Sequence, residues 1–391
     1  MKIGFDAKRA VCNMTGLGNY SRLVAEEVAC HYPDTTLYLY TPTLTEAQKH
    51  NPRLARLNTL PNIEFRLPYG LGPLGHGSLW RSAGITRHFK ADGLDLFHGL
   101  SNELPLNAAS SGLPTVVTIH DLIYLRLPEC YTFPDRKIYN WKYGQSARNA
   151  TRVIAVSECT RRDLVELQHV DPEKIDVIYQ GCDPQFQNVC TSETIGYIRR
   201  KYNLPQRYVI QVGTIERRKN LALSVRALSA LPADVKLVAV GRDNAYLPYV
   251  RKVAAELGVA DRIIFLEGIP FNDLPPLYQG SEAVLYPSRY EGFGIPVLEG
   301  LQSRRPVIAA TGSCLEEAGG DAAWYVDPDD PKSMAGILNA ILSGETDLRA
   351  RIGRGLQQAA RFDTSAMAGK IMETYSKAIA DFSDNQSQLN S

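Results

Sequence analysis

The chain reads as an α/β protein built from two doubly wound parallel sheets. Three observations lead there. Its 391 residues exceed what one domain usually holds. Its apolar runs are short, β-branched or aromatic, and continuous rather than alternating, as in strands buried on both faces. Helical stretches separate these runs, and the alternation lapses near Gln180 and restarts at Tyr208.

In chain order, strands are expected at Lys2–Phe5, 37–41, 63–67, 94–97, 115–119, 153–156 and 175–178. Helices are expected at 17–30, 79–89, 135–149 and 158–167, with Ser157 placed to cap the last of these. From Gln180 to Asn203 glycine, proline and aperiodic polar residues predict a crossover. Strands follow at 208–212, 235–240, 263–266, 283–286, 306–309 and 323–326, with helices such as 221–231 and 249–257 between them. Helical patterns then run over 331–342, 347–361 and 366–382, and the polar residues 384–391 are expected to fray. The domains are thus expected at 1–183 and 204–365, with 366–382 long enough to return to the first.

Composition narrows the class. Hydrophobic content of 44%, charged content of 22% and a net charge of +1 are those of a globular protein with no call for nucleic acid. A lysine and an aspartate within the first six residues speak against a signal peptide, and no apolar run approaches the ~18 residues of a span. The seven cysteines form no C-x-x-C pair and are odd in number, which points to reduced thiols and a cytoplasmic setting.

The chemistry concentrates in Ser288–Glu299. A strand ends at Pro287, Gly292 and Gly294 form a turn, and a helix opens at Ile295 with Pro296 in its first turn, where a missing N–H costs nothing. Such a start offers backbone N–H groups and the positive end of the helix dipole to a phosphate. It also fits a plain capped helix. Glu291 and Glu299 bracket it, up to about 12 Å apart along a helix, which exceeds a glycosidase pair and suits a long ligand with a diphosphate between two polar ends.

Other strand ends add candidates. Gly213 is followed by Arg217, Arg218 and Lys219 at a helix start, where the dipole disfavours cations, so the three suit either an anion or a solvated face. Gly241, and Gly268 with Ile269, close the next two strands where a ligand can approach backbone. In the first half, Gly16 and Gly18 precede a helix, in a turn that fits an anion or an ordinary βα connection. His98, His120 and Asp121 follow strands; His120 is the stronger functional candidate because its strand reads as central.

These motifs resemble those of retaining glycosyltransferases of family 4. The stretch PSRYEGFGIPVLEGLQSRRPVIAA carries their Glu-x7-Glu pattern, and GTIERRKN, SCLEEAGGDAAWYVDP, TIHDL and TGLGNY match in order along nearly the whole chain. The resemblance implies the GT-B architecture, two Rossmann-like doubly wound domains facing a central cleft. It implies a nucleotide diphosphate sugar, GDP- or UDP-linked, as donor, with no cofactor or catalytic metal. It places the donor on Gly16, Gly18, Gly213, Arg217, Arg218, Lys219, Gly241, Ile269, Gly292, Phe293, Gly294, Ile295 and Glu299, and the catalytic roles on His120, Glu291 and Lys219. Many relatives carry an arginine where this chain has Thr214, and Arg217 or Arg218 is expected to replace it. The implied reaction moves a hexose such as mannose to a glycan or lipid-linked saccharide in polysaccharide or lipopolysaccharide synthesis, in the cytoplasm or in weak contact with the inner membrane face. A sugar-nucleotide epimerase or hydrolase, or a nucleotide-binding protein without turnover, fits the same architecture.

Overall fold

A strand buried on both faces must send apolar side chains both ways, and β2 (Thr36–Tyr40) does so. Leu37 and Leu39 enter one core cluster with Ile3, Phe5, Val24 and Val28, while Tyr38 and Tyr40 enter another with Trp80, Phe89 and Phe97. This is why the runs are continuous in sequence. The computed structural model describes residues 1–68, 77 and 79–389. It divides into two units, Met1–Gln180 together with the final helix from Thr364, and Gly181–Asp363.

In the first unit β1 (Lys2–Asp6), β2, β3 (Ile63–Arg66), β4 (Leu96–Gly99), β5 (Thr115–Ile119), β6 (Arg152–Ala155) and β7 (Ile175–Val177) form one sheet in the order β3-β2-β1-β4-β5-β6-β7. In the second, β8 (Tyr208–Val212), β9 (Lys236–Val240), β10 (Ile263–Leu266), β11 (Ala283–Tyr286), β12 (Val307–Ala310) and β13 (Trp324–Val326) take the order β10-β9-β8-β11-β12-β13. The paired strands are parallel. Each sheet therefore reverses direction of growth once, between β1 and β4 and between β8 and β11, and ligand sites of such sheets form at that switch, beyond the carboxyl ends of the strands.

The final helix, Thr364–Leu389, places Met367, Ala368, Ile371, Tyr375 and Ala378 along one face in the core of the first unit. Arg152 with Asp381 at 2.7 Å and Lys377 with Asp176 at 2.9 Å pin its outer edge. Tyr375 also meets His98 Nδ1 at 2.7 Å, while His98 Nε2 meets Thr118 Oγ1 at 2.8 Å, so a buried histidine is satisfied at both nitrogens.

Several expectations shift. The expected crossover over 180–203 contains a helix, Ser192–Lys201, capped by the Thr191 side chain and packed against Leu274–Gln279. The second unit therefore begins at Gly181, before the expected 204. The helix expected over 79–89 divides into a π-turn, Trp80–Gly84, and a helix, Thr86–Asp92. Gly93, at φ +66°, ends that helix, and the chain enters the sheet two residues later than expected, which puts His98 inside β4 rather than beyond it. The final helix continues to Leu389, because no glycine or proline follows Gly369 to stop it. Residues 390 and 391 of the expected frayed tail lie outside the described residues.

Candidate functional site: a cation–carboxylate cluster at the switch point of the second sheet

The loop after β8 and the loop after β11 lie side by side at the switch point, and backbone ties them together. Arg289 N–H donates to the Arg218 carbonyl at 2.8 Å, and Ser288 Oγ reaches the same oxygen at 3.2 Å. Between β8 and β9 the approach is closer still: a Cβ on Gly241 would lie 1.9 Å from the Gly213 carbonyl oxygen. Only glycine fits there, so Gly241 serves the packing of two loops whatever else it meets.

This pairing brings Glu291 onto two cations from the other loop. Lys219 Nζ lies 2.5 Å from Glu291 Oε1, and Arg218 Nη1 lies 2.7 Å from Oε2. Ser288 Oγ donates to Oε1 at 2.6 Å and the Tyr286 hydroxyl at 3.1 Å. Lys219 also donates to the Tyr286 hydroxyl. Glu291 is buried, which by itself would raise its pKa, but Arg218 and Lys219 outweigh that and lower it to about 2. Burial lowers the pKa of Lys219, with Glu291 opposing the shift. The carboxylate is ionised across the neutral range, and the cations offered to an anion are held around it.

Arg217, by contrast, is exposed, while Arg218 pairs with both Glu216 at 2.7 Å and Glu291. Of the two arginines near Thr214, Arg218 is the one in the cluster. The Lys219 segment itself is a 3-10 turn, Arg217–Lys219, and Asn220 at φ +57° leads from it into helix Leu221–Leu228. Lys219 thus precedes that helix rather than opening it.

The glycine turn continues from the cluster. Gly294 stands at φ +142° as the N-cap of helix Ile295–Gln302, with no side-chain cap on that N-terminus and Pro296 in the first turn. Its added Cβ would sit 3.0 Å from Leu315 Cδ2. Cys314 Sγ–H reaches the carbonyls of Glu291 at 3.0 Å and Phe293 at 2.6 Å, and Phe293 packs edge-on to Phe362 with centroids 5.3 Å apart. The turn is therefore held from behind by buried groups, the Phe293 side chain among them. Gly292 and Ile295 remain partly exposed at the helix mouth. Glu299, on the same helix, is buried and accepts from the Tyr278 hydroxyl at 2.5 Å. Ile269 follows Gly268, at φ +66°, beyond β10 and is half-buried.

In the first unit Gly18 is required by its own surroundings: a Cβ there would lie 1.7 Å from the Asn13 carbonyl oxygen, whereas Gly16 has nothing within 4 Å. His120 is buried at the end of β5. Its Nε2 lies 3.0 Å from the Leu100 carbonyl and its Nδ1 3.3 Å from Gln180 Nε2, which fixes a neutral ring that donates from Nε2 and accepts at Nδ1. Burial lowers its pKa to about 4, against the raising effect of the Leu100 carbonyl. A group so placed hydrogen-bonds readily and shuttles protons poorly near pH 7.

Sequence reasoning passed over Tyr278, Tyr286 and Cys314. Tyr286 ends β11 at its carboxyl edge, a position that marks it in retrospect. Tyr278 comes from helix Leu274–Gln279, and no sequence signal ties it to Glu299. Among the described residues no group of three or more His, Cys, Asp or Glu is placed to hold a metal, and no helix is long and apolar enough to cross a membrane.

Comparison with known proteins covers both units. Residues 16–186 match the family model described as Glycosyltransferase Family 4, and residues 197–358 match the one described as Glycosyl transferases group 1. The chain is 27% identical over 396 residues to O-antigen chain mannosyltransferase B of Escherichia coli, covering 96% of this chain and 99% of the relative. It is 27% identical over 251 residues to O-antigen chain mannosyltransferase RfbU of Salmonella typhimurium, covering 64% and 66%. Among solved structures, Anabaena HepE in complex with UDP-glucose aligns with a TM-score of 0.75 at 21% identity, over 96% of this chain and 100% of that chain, a likeness of fold.

Proposed function

The chain belongs to the GT-B glycosyltransferases whose first half is the family 4 domain and whose second half is the group 1 domain, and from that premise we propose that it transfers a mannose or similar hexose, with retention at the anomeric carbon, from a nucleotide diphosphate sugar to a hydroxyl of a glycan or lipid-linked saccharide. The observation that carries the reading is the Glu291–Lys219–Arg218 cluster beside the uncapped start of helix Ile295–Gln302. The kinship with O-antigen chain mannosyltransferases supports mannose as the sugar and polysaccharide or lipopolysaccharide synthesis as the setting.

Departure of a nucleoside diphosphate puts growing negative charge on its β-phosphate. Lys219 and Arg218 meet that charge as fixed cations, and the N–H groups at the helix mouth add oriented dipoles that need no reorganisation. Glu299, one turn further along the helix, accepts from the ribose hydroxyls, with Tyr278 holding its carboxylate in place. Glu291, released from its cations by the diphosphate, turns to the sugar hydroxyls. His120 enters as a neutral hydrogen-bonding group for the sugar rather than as an acid, because burial has lowered its basicity. The acceptor proton leaves with the departing phosphate, and no protein nucleophile or metal is required.

The test is a transfer assay with GDP-mannose and with UDP-linked hexoses against lipid-linked and free saccharide acceptors, with the product anomer read by NMR. Retained configuration and no donor turnover without acceptor support the proposal. Donor breakdown or epimerisation without acceptor would replace it with a hydrolase or epimerase.

A further inference from the structure

Lys219 reaches its carboxylate from a backbone that is fixed on two sides. Gln211 Nε2, on β8, donates to the Lys219 carbonyl at 2.8 Å, and Ser224 Oγ donates to Gln211 Oε1 at 2.7 Å. Asn220, the next residue, donates to the carbonyls of Pro328 at 2.7 Å and Pro287 at 3.3 Å. Between that backbone and the ammonium runs a flexible stem, which wanders unless its tip is held. Two side chains hold the tip: Glu291, and the Tyr286 hydroxyl, which accepts from Lys219 Nζ and donates to Glu291 Oε1 at 3.1 Å. Other tyrosine hydroxyls of this unit end on main chain, that of Tyr208 on the Leu277 carbonyl at 2.7 Å and that of Tyr325 on the Gly320 carbonyl at 2.8 Å. Tyr286 is buried and gives its hydroxyl to two charged side chains instead. Burial and then Glu291 push its pKa up, so the hydroxyl stays neutral.

We propose that Tyr286 is a positioning residue for the transfer, keeping the Lys219 ammonium aimed while Glu291 gives way to the diphosphate. The inference rests on the reading of this cluster as the diphosphate site. An ammonium that lost its carboxylate and had no second anchor would have to be ordered again by the ligand, at an entropic cost. Tyr286 removes that cost in two ways. It is neutral, so it does not compete with a phosphate as an anion does. It is buried at the end of β11, so an incoming ligand does not displace it. An ammonium has three N–H donors. Here Tyr286 takes one and Glu291 another, and the third has no partner among the described residues. A phosphate can take the donors that Glu291 leaves while Tyr286 keeps its own. Negative charge grows on the phosphate only as its bond to the sugar breaks. Exact placement of the cation therefore matters more in the transition state than in the bound ground state, and loss of the Tyr286 hydroxyl acts on kcat more than on binding.

The experiment compares the full chain with Tyr286→Phe, which keeps the ring and removes the hydroxyl. In the transfer assay kcat is expected to fall by at least about fivefold, while the Kd for GDP and for UDP changes by less than about twofold. In a Lys219→Ala background the same substitution is expected to cost no further activity, because it acts through that lysine. A readout without turnover is NMR of the chain isotope-labelled at lysine Cε, with the Lys219 signal identified by its loss in Lys219→Ala. On addition of GDP or UDP its two ε-protons are expected to stay inequivalent in the wild type, as for a held side chain, and to merge in Tyr286→Phe. Inequivalent protons in Tyr286→Phe, an undiminished effect in the Lys219→Ala background, or a lower melting temperature with wild-type kinetics would overturn the proposal and leave the diphosphate reading standing. A wild-type Lys219 signal that neither nucleotide moves would instead overturn that reading, and this inference with it.

Discussion

Lys219 and Glu291 stand 72 positions apart in the chain and meet at 2.5 Å, with Arg218 on the other carboxylate oxygen at 2.7 Å. The cations proposed to meet a diphosphate therefore already hold an anion, and on that reading binding exchanges one anion for another. This relationship sets the sign of several effects.

Lys219→Ala should lower turnover by more than about tenfold, or ~1.4 kcal/mol of transition-state stabilisation, because a fixed cation beside the leaving diphosphate is lost. Steady-state kinetics on a variant with a native circular dichroism spectrum measures this. Unchanged kcat and KM would remove Lys219 from the reaction.

Glu291→Gln should act on binding and on turnover in opposite directions. Freed of their internal counter-ion, Lys219 and Arg218 should bind nucleoside diphosphate several-fold more tightly, while turnover falls because the sugar has lost its carboxylate. Leaving Lys219 without its carboxylate and Arg218 with only Glu216 costs stability, on the order of 3–5 kcal/mol for a fully buried pair and less here. The melting temperature should drop and recover on adding nucleoside diphosphate. Calorimetric titration and thermal melts with the same ligand decide it; weaker nucleoside diphosphate binding would show that Glu291 does not compete for the cations.

Glu299→Gln should weaken donor and free nucleoside diphosphate alike, by about 1.5–3 kcal/mol, the worth of a hydrogen bond to a charged group. Both ligands carry the ribose. Titration of each ligand into this variant tests the assignment, and a loss confined to the intact sugar donor would reverse the two glutamates.

The buried histidines His98 and His120 predict the acid behaviour. Burial lowers His98 to about 3 and His120 to about 4, below the ordinary value near 6.5. The unfolded chain binds these protons first, so stability is full above about pH 6.5 and is lost as pH falls through 6.5 toward 4 and 3. Histidine NMR titration should show the imidazoles of His98 and His120 unprotonated at pH 5, and the melting temperature should decline below about pH 6.5. A midpoint near 6 for His120 would restore it as a proton carrier.

Gly241→Ala should disorder the loops after β8 and β9, because its Cβ would sit 1.9 Å from the Gly213 carbonyl. Both are backbone and neither has a flexible end to move. A fall in melting temperature with weaker nucleoside diphosphate binding is expected, whereas Gly16→Ala, with open space, should leave stability within about 0.5 kcal/mol.

What the sequence determined by itself was whatever local spacing encodes. Continuous apolar runs located the strands of both sheets within a residue or two, since burial on two faces demands them. Glycines at strand ends and the Glu291–Glu299 spacing marked the helix mouth, since φ above zero and helical rise are local properties. Tertiary structure decided which groups meet. Nothing in the Ser288–Glu299 stretch tells that Glu291 closes on Lys219 and Arg218, that Arg218 rather than Arg217 joins the cluster, or that Tyr278 holds Glu299. Those contacts arise because strand order places β8 beside β11, and strand order follows from packing between residues far apart in sequence. The same holds for His120. Its strand end was legible, but its neutral, doubly bonded ring depends on Leu100 and Gln180, brought to it by the sheet and by the end of the first unit. Electrostatics, unlike periodicity, is a property of distances across the fold, and so the charge state of this site was written only in three dimensions.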